Sequence, residues 1–588
     1  MIDEDPSKFL THDFMLVFHL LILLLHLHPS TTSSPSSIIH YKDLLSTHSL
    51  TYRIEPGQNT SVLLTPTYPW ESDVHAEGSV IYDPRVQEYR AYYVSCPNLH
   101  NQVQGRVMTI ATSPDGKSWT RPMLSLYPWE SFPNTNILMK LQNPLGEISQ
   151  ISVFVDAGGK YDLFLLASDV PDAFVSYPRA VEDCSHKECM YRFTSSDGLH
   201  FQPSQLIGSM SKGSDGSFVY RKDNRKDTHN FTAYLKIGLP SPPGSFVPWD
   251  VGAGHSRMIM QSNSIDNGQT WSGMTYVASV DWRDSQDDQL VGLYGQDAQD
   301  VFLKSSLDGR PIMMGTMGMF HALSQTVDNQ FAVSDDGGGS WWRPSRRPYR
   351  HVPPIGEYGS GVNFCMRSLV QDVHEQGTVH SYFSGTEGIH GDIHSTQPYE
   401  LLKQEVDRRS NHRFPTFGWS SIRSFPGFDG NNNNYESLSF ARSSIQFHGA
   451  LMRTSWQHHR FFSVVPASGG SVPGTLVMKG YNCTRGKGVQ LHVNAVTTVK
   501  ANTGGLFDGM VRAALMVSAG ANVSTLTALN GYALSDSCAW KGDQVNGELN
   551  WTCGGGGGGG GPVPGINRTV HVKIELTRSR LYGYEFSC

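Results

Sequence analysis

The sequence has little charge and lacks the signatures of several common protein classes. Asp, Glu, Lys and Arg make up only 17% of the 588 residues, and 46 basic against 53 acidic residues leave a net charge of -7. Without a basic excess, the composition gives no reason to expect a nucleic-acid-binding protein. Past the first thirty residues, no run approaches the roughly 20 apolar residues that a membrane-spanning helix needs. Several membrane spans are therefore excluded.

What the sequence does contain is typical of a large β protein. Hydrophobic residues account for 38% and aromatic residues for 11%, enough for extensive buried cores and against wholesale disorder. Glycine (59) and proline (32) are frequent, which favours many turns. The length by itself predicts two to four domains.

The N-terminus carries one apolar run, FMLVFHLLILLL at 14–25, followed by the polar stretch PSTTSSPSS at 29–37. The run is short for a membrane span and suits a signal-peptide core. The acidic lead before it is unusual for a signal peptide, and Met15 is an alternative start. We interpret 1–37 as a signal peptide and polar leader, with a buried N-terminal helix or a retained anchor as alternatives. This predicts a secreted protein with no membrane attachment after cleavage.

The cysteines and glycosylation sequons agree with secretion. None of the eight Cys forms a CxxC pair, so a zinc knuckle or a thioredoxin-like site is not expected. Cys184 and Cys189 lie close enough to form a small disulfide, and at least one bridge is expected among the four Cys from Cys483 onward, with Cys538 to Cys553 as one possibility. Six sequons are present, at Asn59, Asn230, Asn482, Asn522, Asn550 and Asn567.

A short motif recurs through the first two thirds of the chain. The segments SPDGKSW, SSDGLHF, SIDNGQTW and SDDGGGSW begin at 113, 195, 264 and 334, which are 82, 69 and 70 residues apart. The last two match the Asp-box pattern SxDxGx[ST]W, in which Asp accepts bonds from turn amides, Gly supplies positive φ and the aromatic residue packs under the turn. We therefore assign the boxes a structural role in strand hairpins rather than a binding role.

A hairpin unit of about 70 residues, repeated around an axis, predicts a β-propeller with four-stranded blades. The first two strands of each blade are predicted at 78–83 and 89–95, 151–156 and 161–167, 217–220 and 231–236, 300–304 and 311–317, and 366–372 and 378–385. Five blades then occupy 50–425. From 435 to 588, short β-prone runs without helical period predict a β-sandwich, interrupted by a run of eight glycines at 554–561. The fold class is thus all-β.

This layout and three segments resemble the family 32 glycoside hydrolases. The segments are YDPRVQEYRAYYV at 82–94, SDDGGGSWWRP at 334–344 and SRLYGYEF at 579–586. The resemblance is closest to an uncharacterised secreted branch and covers nearly the whole chain beyond residue 60. It implies a glycosidase with three acids around the propeller axis, one of them a nucleophile in a turn entering blade one.

Residue by residue, the resemblance nominates three catalytic carboxylates: Asp73, Asp215 and Asp297. The stretch WESDVHAEG at 70–78 corresponds to the nucleophile turn, although His75 falls on the nucleophile position and the nearest acids are Asp73 and Glu77. Asp215, in GSDGSFVY, corresponds to the second acid without the family's Arg and Pro. In the segment DAQDVF at 297–302, Asp297 occupies the position of the family's general acid, and Asp300 occupies the position of the second Asp in the family's motif.

Glycoside cleavage needs two carboxylates on either side of one bond, and acids from different blades would converge on one axial pocket. We predict substrate contacts from Trp70, Glu77 and Asp300. Trp70 and Trp129 are candidates for stacking on a sugar ring, with core packing as the alternative. Each nominated Asp also has an ordinary alternative role as a turn residue. No metal and no cofactor is predicted, although the histidines of GIHGDIH at 388–394 suggest either a metal cluster or a polar loop.

The sequence therefore predicts a secreted, monomeric, glycoside hydrolase-like protein whose partner is a carbohydrate. Two alternatives stay open. One is a carbohydrate-binding propeller that has lost its acids. The other is an exo-sialidase, suggested by YRIEP at 52–56, which would need three convergent Arg for a substrate carboxylate.

Overall fold

The computed structural model describes most of the chain after residue 35. The described ranges are 36–71, 73–97, 105–141, 148–156, 158–168, 184, 188–208, 214–221, 230–240, 255–281, 283–284, 288–297, 303–321, 326–350, 353, 357–386, 449–457, 460–467, 472–483, 489–497, 509–518, 526–551 and 569–588. Within these ranges the only helical segment is a short 3-10 turn at Tyr41–Asp43. The predicted all-β class is confirmed, with a five-bladed propeller and a sandwich.

Four strands precede the first complete blade: β1 (Ser36–Ile38), β2 (Leu44–His48), β3 (Leu50–Ile54) and β4 (Gln58–Leu64). The next twelve strands form blades one to three, each a four-stranded antiparallel sheet in which consecutive strands pair. Blade one is β5 (Asp73–Asp83), β6 (Glu88–Cys96), β7 (Val107–Ser113) and β8 (Ile137–Lys140). Blade two is β9 (Ile148–Val155), β10 (Tyr161–Ala167), β11 (Cys189–Ser195) and β12 (Gln202–Gly208). Blade three is β13 (Ser214–Arg221), β14 (Phe231–Pro240), β15 (His255–Ser264) and β16 (Thr275–Ala278).

Blade four corrects one sequence-based expectation. It contains β17 (Asp288–Tyr294), β18 (Leu303–Ser305), β19 (Pro311–His321) and β20 (Thr326–Ser334). The innermost strand is β17, which pairs with β19 over its length, so the strand predicted at 300–304 is not the first strand of the blade, although its described residues 303 and 304 do lie in a strand, β18. The short β18 pairs only with Pro311 and Ile312 of β19, and on its other side with β1. Both runs are apolar, so periodicity did not tell the longer pairing from the shorter one.

Blade five closes the ring with a strand from the other end of the chain. Its strands β21 (Asn363–Gln371), β22 (Thr378–Thr386) and β23 (Gly449–Gln457) pair in order, and β4 is the fourth strand, antiparallel to β23. The innermost strand β21 also meets β5 of blade one in parallel, with Arg367 opposite Ser79. Closure by a distant strand ties the first and last blades together.

The remaining strands build two facing sheets. They are β24 (Phe462–Pro466), β25 (Gly474–Met478), β26 (Tyr481–Asn482), β27 (Gln490–Thr497), β28 (Met510–Ser518), β29 (Leu526–Ala528), β30 (Asp543–Glu548), β31 (Thr569–Thr577) and β32 (Ser579–Ser587). One sheet has the order β2-β25-β31-β28-β29, with β26 on β31, and the other β3-β24-β32-β27-β30. Alternating apolar residues of both sheets, such as Leu476, Val493, Leu515 and Ile574, form a common core.

The sheets do not divide along the ranges 50–425 and 435–588 expected from the sequence. Strands β2 and β3, at 44–54, belong to the sandwich, and β23, at 449–457, belongs to blade five. The pairings of β2 with β25, of β3 with β24 and of β4 with β23 each join strands roughly four hundred residues apart. Such pairing leaves no trace in local sequence pattern.

All four Asp boxes cap hairpins. In the first box, Asp115 Oδ1 accepts from the backbone N–H groups of Lys117 (2.8 Å) and Ser118 (2.7 Å), and Gly116 has φ +66°. The Trp119 indole donates to the Gly116 carbonyl at 3.2 Å. The fourth box repeats this arrangement with Trp341 donating to Gly338. The boxes therefore stabilise turns, as their residue types predict.

Two predicted features of the cysteines are confirmed. Cys184 pairs with Cys189, and a bridge within the C-terminal group joins Cys483 to Cys588. Cys538 is also disulfide-bonded, and its expected partner Cys553 lies outside the described residues. The apolar run at 14–25 lies outside them too. Among the residues that are described, no helix has the length and apolarity needed to cross a membrane.

Candidate functional site

The innermost strands of the five blades, β5, β9, β13, β17 and β21, surround the propeller axis. They all begin at one end of the axis, which we call the upper end, and finish at the lower end. Strand pairing makes the direction explicit for β5 and β21, which run parallel. Below, these two terms state where along the axis a residue lies.

A histidine and a glutamate on β5 form the best-defined polar pair near the axis. The His75 Nε2 and Glu77 Oε2 atoms are 3.1 Å apart, and the Glu77 side chain is 12% exposed. A shift in pairing between His75 and Ser79 marks a bulge in β5 at this point. Bulges re-aim side chains next to active sites. Here the bulge spans the segment that carries both members of the pair.

The electrostatic environment places the Glu77 carboxylate among several blades. Burial tends to raise its pKa, but His75, Arg106 and Lys236 together outweigh this effect and hold the pKa below the ordinary value. Arg106 precedes β7 of blade one, whereas Lys236 belongs to β14 of blade three. A carboxylate that responds to charges on blades one and three lies near their common axis. At neutral pH it is a charged acceptor.

Blades four and five supply aromatic neighbours to this pair. The ring centroids of His75 and Phe364, on β21, are 5.2 Å apart. Burial raises the pKa of Tyr294, at the end of β17, and the charges of Cys365 and Glu77 add to that rise. The Tyr294 phenol therefore remains a neutral hydroxyl whose pKa responds to the Glu77 charge. Four blades contribute to the surroundings of Glu77.

A second polar cluster lies at the upper end of blade four. His321, at the end of β19, bridges two aspartates, with Nδ1 2.6 Å from Asp288 Oδ1 and Nε2 3.0 Å from Asp328 Oδ2. All three residues are buried. Asp288 is the first residue of the innermost strand β17. The cluster therefore links the start of β17 to β19 and β20.

A buried ion pair lies at the lower end of the axis. Arg367 of β21 donates from Nη1 to Asp297 Oδ2 (2.6 Å) and from Nη2 to the Val153 carbonyl (2.9 Å). Asp297 Oδ1 accepts the backbone N–H of Arg221 at 2.7 Å. Arg367 and Asp297 are 3% and 1% exposed. Each carboxylate oxygen of Asp297 therefore has an internal donor.

The Arg367 guanidinium also packs on aromatic rings of two blades. Its centre lies 4.1 Å from the Phe154 ring of β9 and 5.6 Å from the Tyr220 ring of β13. The Arg367 Nε atom is 3.4 Å from Ser79 Oγ of blade one, and Nη1 binds Asp297, which follows β17 of blade four. The Arg367 side chain of blade five therefore contacts residues of the other four blades. We call Arg367 and Asp297 the axial plug.

The structure separates the sequence-predicted site residues. Glu77, which the sequence nominated for substrate contact, lies on β5 beside His75. Asp297 follows the innermost strand of its blade instead of preceding it, so it lies at the lower end, and its position does not support the general-acid role. Trp70 is fully buried, donates to Asn136 Oδ1 at 2.8 Å and stacks on Tyr68, so it is a core residue and not a sugar platform.

The other nominated acids are located only in part. Asp73 opens β5, opposite Cys96, and Asp215 is the second residue of β13, so both backbones lie at the upper end. Their side chains and the whole of Asp300 lie outside the described residues. The segment GIHGDIH does as well. Over the described ranges, no group of three or more His, Cys, Asp or Glu residues is arranged to hold a metal ion.

Sequence reasoning missed several residues that the fold brings to the axis. Arg367 and Tyr294 lie in apolar strands with no motif around them, and Lys236 is an ordinary strand lysine. His75 was visible as the residue on the nucleophile position, but only its distance to Glu77 gives it a role. The YRIEP segment lies partly on β3 in the sandwich, where Arg53 pairs with Ser463, and therefore away from the axis.

Comparison with known proteins gives distant structural similarity only. No family model and no curated protein matches the sequence. Among solved structures, a fructofuranosidase from Schwanniomyces occidentalis complexed with fructosylnystose is similar over 91% of this chain and 99% of its own, at 10% identity and TM-score 0.36. An exo-beta-1,3-galactanase from Phanerochaete chrysosporium with galactose is similar over 89% and 100%, at 8% identity and TM-score 0.32. An endo-arabinase from Bacteroides thetaiotaomicron is similar over 55% and 92%, at 14% identity and TM-score 0.32. At these scores, the similarities carry no conclusion about this chain.

Proposed function

We propose that this chain is a secreted, monomeric, glycoside hydrolase-like protein that binds or cleaves an oligo- or polysaccharide at the upper end of the propeller axis. The observation that carries the proposal is the Glu77 carboxylate, held near the axis by His75 and surrounded by contributions from four blades. The sequence resemblance to family 32 glycoside hydrolases supports the same assignment. The disulfides agree with an oxidising compartment.

The lowered pKa of Glu77 defines what this group can do. A carboxylate that stays charged accepts hydrogen bonds from sugar hydroxyls, or acts as a nucleophile or base toward the anomeric carbon or a water. It is not a proton donor near neutral pH. A cleaving site therefore needs a second carboxyl, and Asp73 and Asp215 have their backbones at the correct end of the axis.

A non-catalytic carbohydrate-binding propeller is the second candidate. It is favoured by the engagement of Asp297, the nominated general acid, in the axial plug. In this version Glu77 and the adjacent aromatic rings hold the sugar without breaking a bond. Measurement of bond cleavage separates the two candidates.

The test uses the secreted full-length protein on a panel of oligo- and polysaccharides, with release of reducing ends and binding affinity as readouts. For an enzyme, we expect Glu77→Gln to lower the rate at least about a hundredfold, since acid–base groups contribute roughly 10²–10⁴. For a binding protein, we expect affinity to fall about tenfold or more without any cleavage by the parent protein.

Glu375→Gln is the matched control, because Glu375 is a half-exposed surface residue whose contact is with Lys117. It should retain full activity and affinity. If folded Glu77→Gln protein cleaves and binds the confirmed ligand as well as the control does, the axial proposal is wrong.

A further inference from the structure

One glycosylation sequon lies on the outermost strand of blade five. The sequon Asn59-Thr60-Ser61 occupies the first half of β4, which is the last strand of its sheet and pairs with β23 alone in the described part of the chain. An outermost strand presents a row of backbone N–H and C=O groups that can pair with another chain. On the same strand, the side chain of Val62 is 44% exposed. Strand β4 therefore combines a sheet edge with an exposed apolar side chain.

A bulge in β4 presents Asn59 to solvent. The pairing with β23 shifts register here, so that Asn59 and Thr60 together oppose the single residue Thr454. Asn59 has φ +53°, in the left-handed region that Asn adopts more readily than most residues. Thr60 Oγ1 donates to Thr454 Oγ1 at 3.1 Å, which ties the bulge to the neighbouring strand. The Asn59 side chain is exposed and makes no hydrogen bond to any described residue, so its amide is accessible.

The other sequons are less accessible or are only partly described. Asn230 is half-buried, its Oδ1 atom has almost no accessible surface, and Thr232 of the same sequon is 4% exposed. Asn482 and Asn550 are exposed, but the Thr that completes each of their sequons lies outside the described residues. The two remaining sequons lie outside them as well. Asn59 therefore belongs to the sequon whose three residues are all described and whose acceptor amide is accessible.

We propose that Asn59 carries an N-linked oligosaccharide that covers the outer edge of blade five. In this modification the Asn59 Nδ2 atom displaces the diphosphate from the anomeric carbon of a lipid-linked oligosaccharide. A C–N bond forms, the C–O bond to the diphosphate breaks, and one amide proton passes to solvent. A glycan is bulky and hydrophilic, so it has to lie outside the folded protein, and the exposed bulge meets that requirement.

The position of the glycan gives it a physical role. Its bulk beside β4 hinders a second chain from pairing with the edge of the strand and covers the apolar surface at Val62. The inference rests on the secretory route in the proposed function, and not on the Glu77 site.

The experiment is mass spectrometry of the full-length protein secreted from eukaryotic cells. Treatment of its peptides with a peptide-N-glycosidase in heavy-oxygen water converts each glycosylated Asn into a labelled Asp. We expect the label on the peptide that contains Asn59. Asn59→Gln and Ser61→Ala should each lose the glycan, whereas Ser61→Thr, which preserves the sequon, should retain it. Because Ser61→Ala leaves Asn59 and its backbone conformation in place, it separates loss of the glycan from damage to the bulge.

Size-exclusion chromatography with light scattering tests the protective role. In Ser61→Ala, we expect part of the protein to leave the monomer peak, because the edge of β4 is no longer covered. Addition of Val62→Lys to this variant should restore the monomer, since a lysine on an edge strand opposes pairing. Circular dichroism verifies that each variant is folded.

The possible failures are distinguishable. A secreted protein without a glycan on the Asn59 peptide would contradict this proposal alone, whereas a protein that stays in the cytosol without any glycan would contradict the secretory route as well. A glycosylated parent protein whose Ser61→Ala variant stays fully monomeric would overturn the protective role. Sugar binding that depends on Glu77 should be equal in the parent protein and in Ser61→Ala, so a failure of the axial site is measured separately.

Discussion

The axial plug gives the sharpest test of how this propeller is held together. Asp297 and Arg367 form an ion pair at 2.6 Å, and both are almost fully buried. In Asp297→Asn, the amide oxygen can still accept from the Arg221 backbone, but the guanidinium loses its negative partner. Breaking one side of a buried pair typically costs 3–5 kcal/mol, because the remaining charge is left without compensation. We expect the free energy of unfolding of the propeller to fall by about that amount.

The measurement is urea denaturation followed by tryptophan fluorescence, with circular dichroism as a second probe. Asp308→Asn is the matched control, because Asp308 is half-exposed and paired with Arg310 at 2.8 Å. Exposed ion pairs contribute little to stability, so the free energy of unfolding of this variant should fall by no more than about 1 kcal/mol. The double variant Asp297→Asn with Arg367→Met should be more stable than Asp297→Asn alone, because it also removes the buried guanidinium charge that has lost its partner.

Two results would refute this reasoning. Equal stability of Asp297→Asn and the parent protein would mean that the plug does not hold the blades. Unchanged stability together with loss of sugar cleavage would return Asp297 to the catalytic role that its sequence motif suggested.

Two further predictions concern pH and disulfides. Burial lowers the pKa of His40 to about 4, against the opposing charges of Asp335 and Asp43. The unfolded chain, with a His pKa near 6.5, binds the proton first, so stability should decrease from about pH 6.5 to pH 4 with a slope up to about 1.4 kcal/mol per pH unit. Unfolding curves of His40→Gln should show a weaker pH dependence; an identical dependence would exclude His40 as the source. Replacing Cys483 and Cys588 by Ala opens a loop of 105 residues, and the free energy of unfolding should fall by about 5 kcal/mol. Replacing Cys184 and Cys189, which are 5 residues apart, should lower it by only about 2 kcal/mol. Differential scanning calorimetry of the two double variants compares their losses of stability. A larger loss from opening the short loop would contradict the prediction.

The sequence by itself determined the features that depend on neighbouring residues. The Asp boxes predicted capped hairpins because their bonds run between residues two to four apart, as Asp115 and its turn amides show. Alternating apolar runs predicted most blade strands for the same reason, and the repeat spacing predicted the propeller. The short separation of Cys184 and Cys189 indicated their bridge.

Only the tertiary structure decided what depends on distant pairing. The sequence predicted the first strand of blade four at 300–304, whereas in the structure the innermost strand is β17, which moves Asp297 from the upper to the lower end of the axis. It offered no signal that β4 closes blade five, or that Arg367 crosses from that blade to Asp297. Such contacts are selected by how whole blades pack around the axis after long loops have closed, and that selection has no local sequence period. Glu77 became the central residue of the candidate site for this physical reason: its partners belong to different blades, and only the closed ring brings them together.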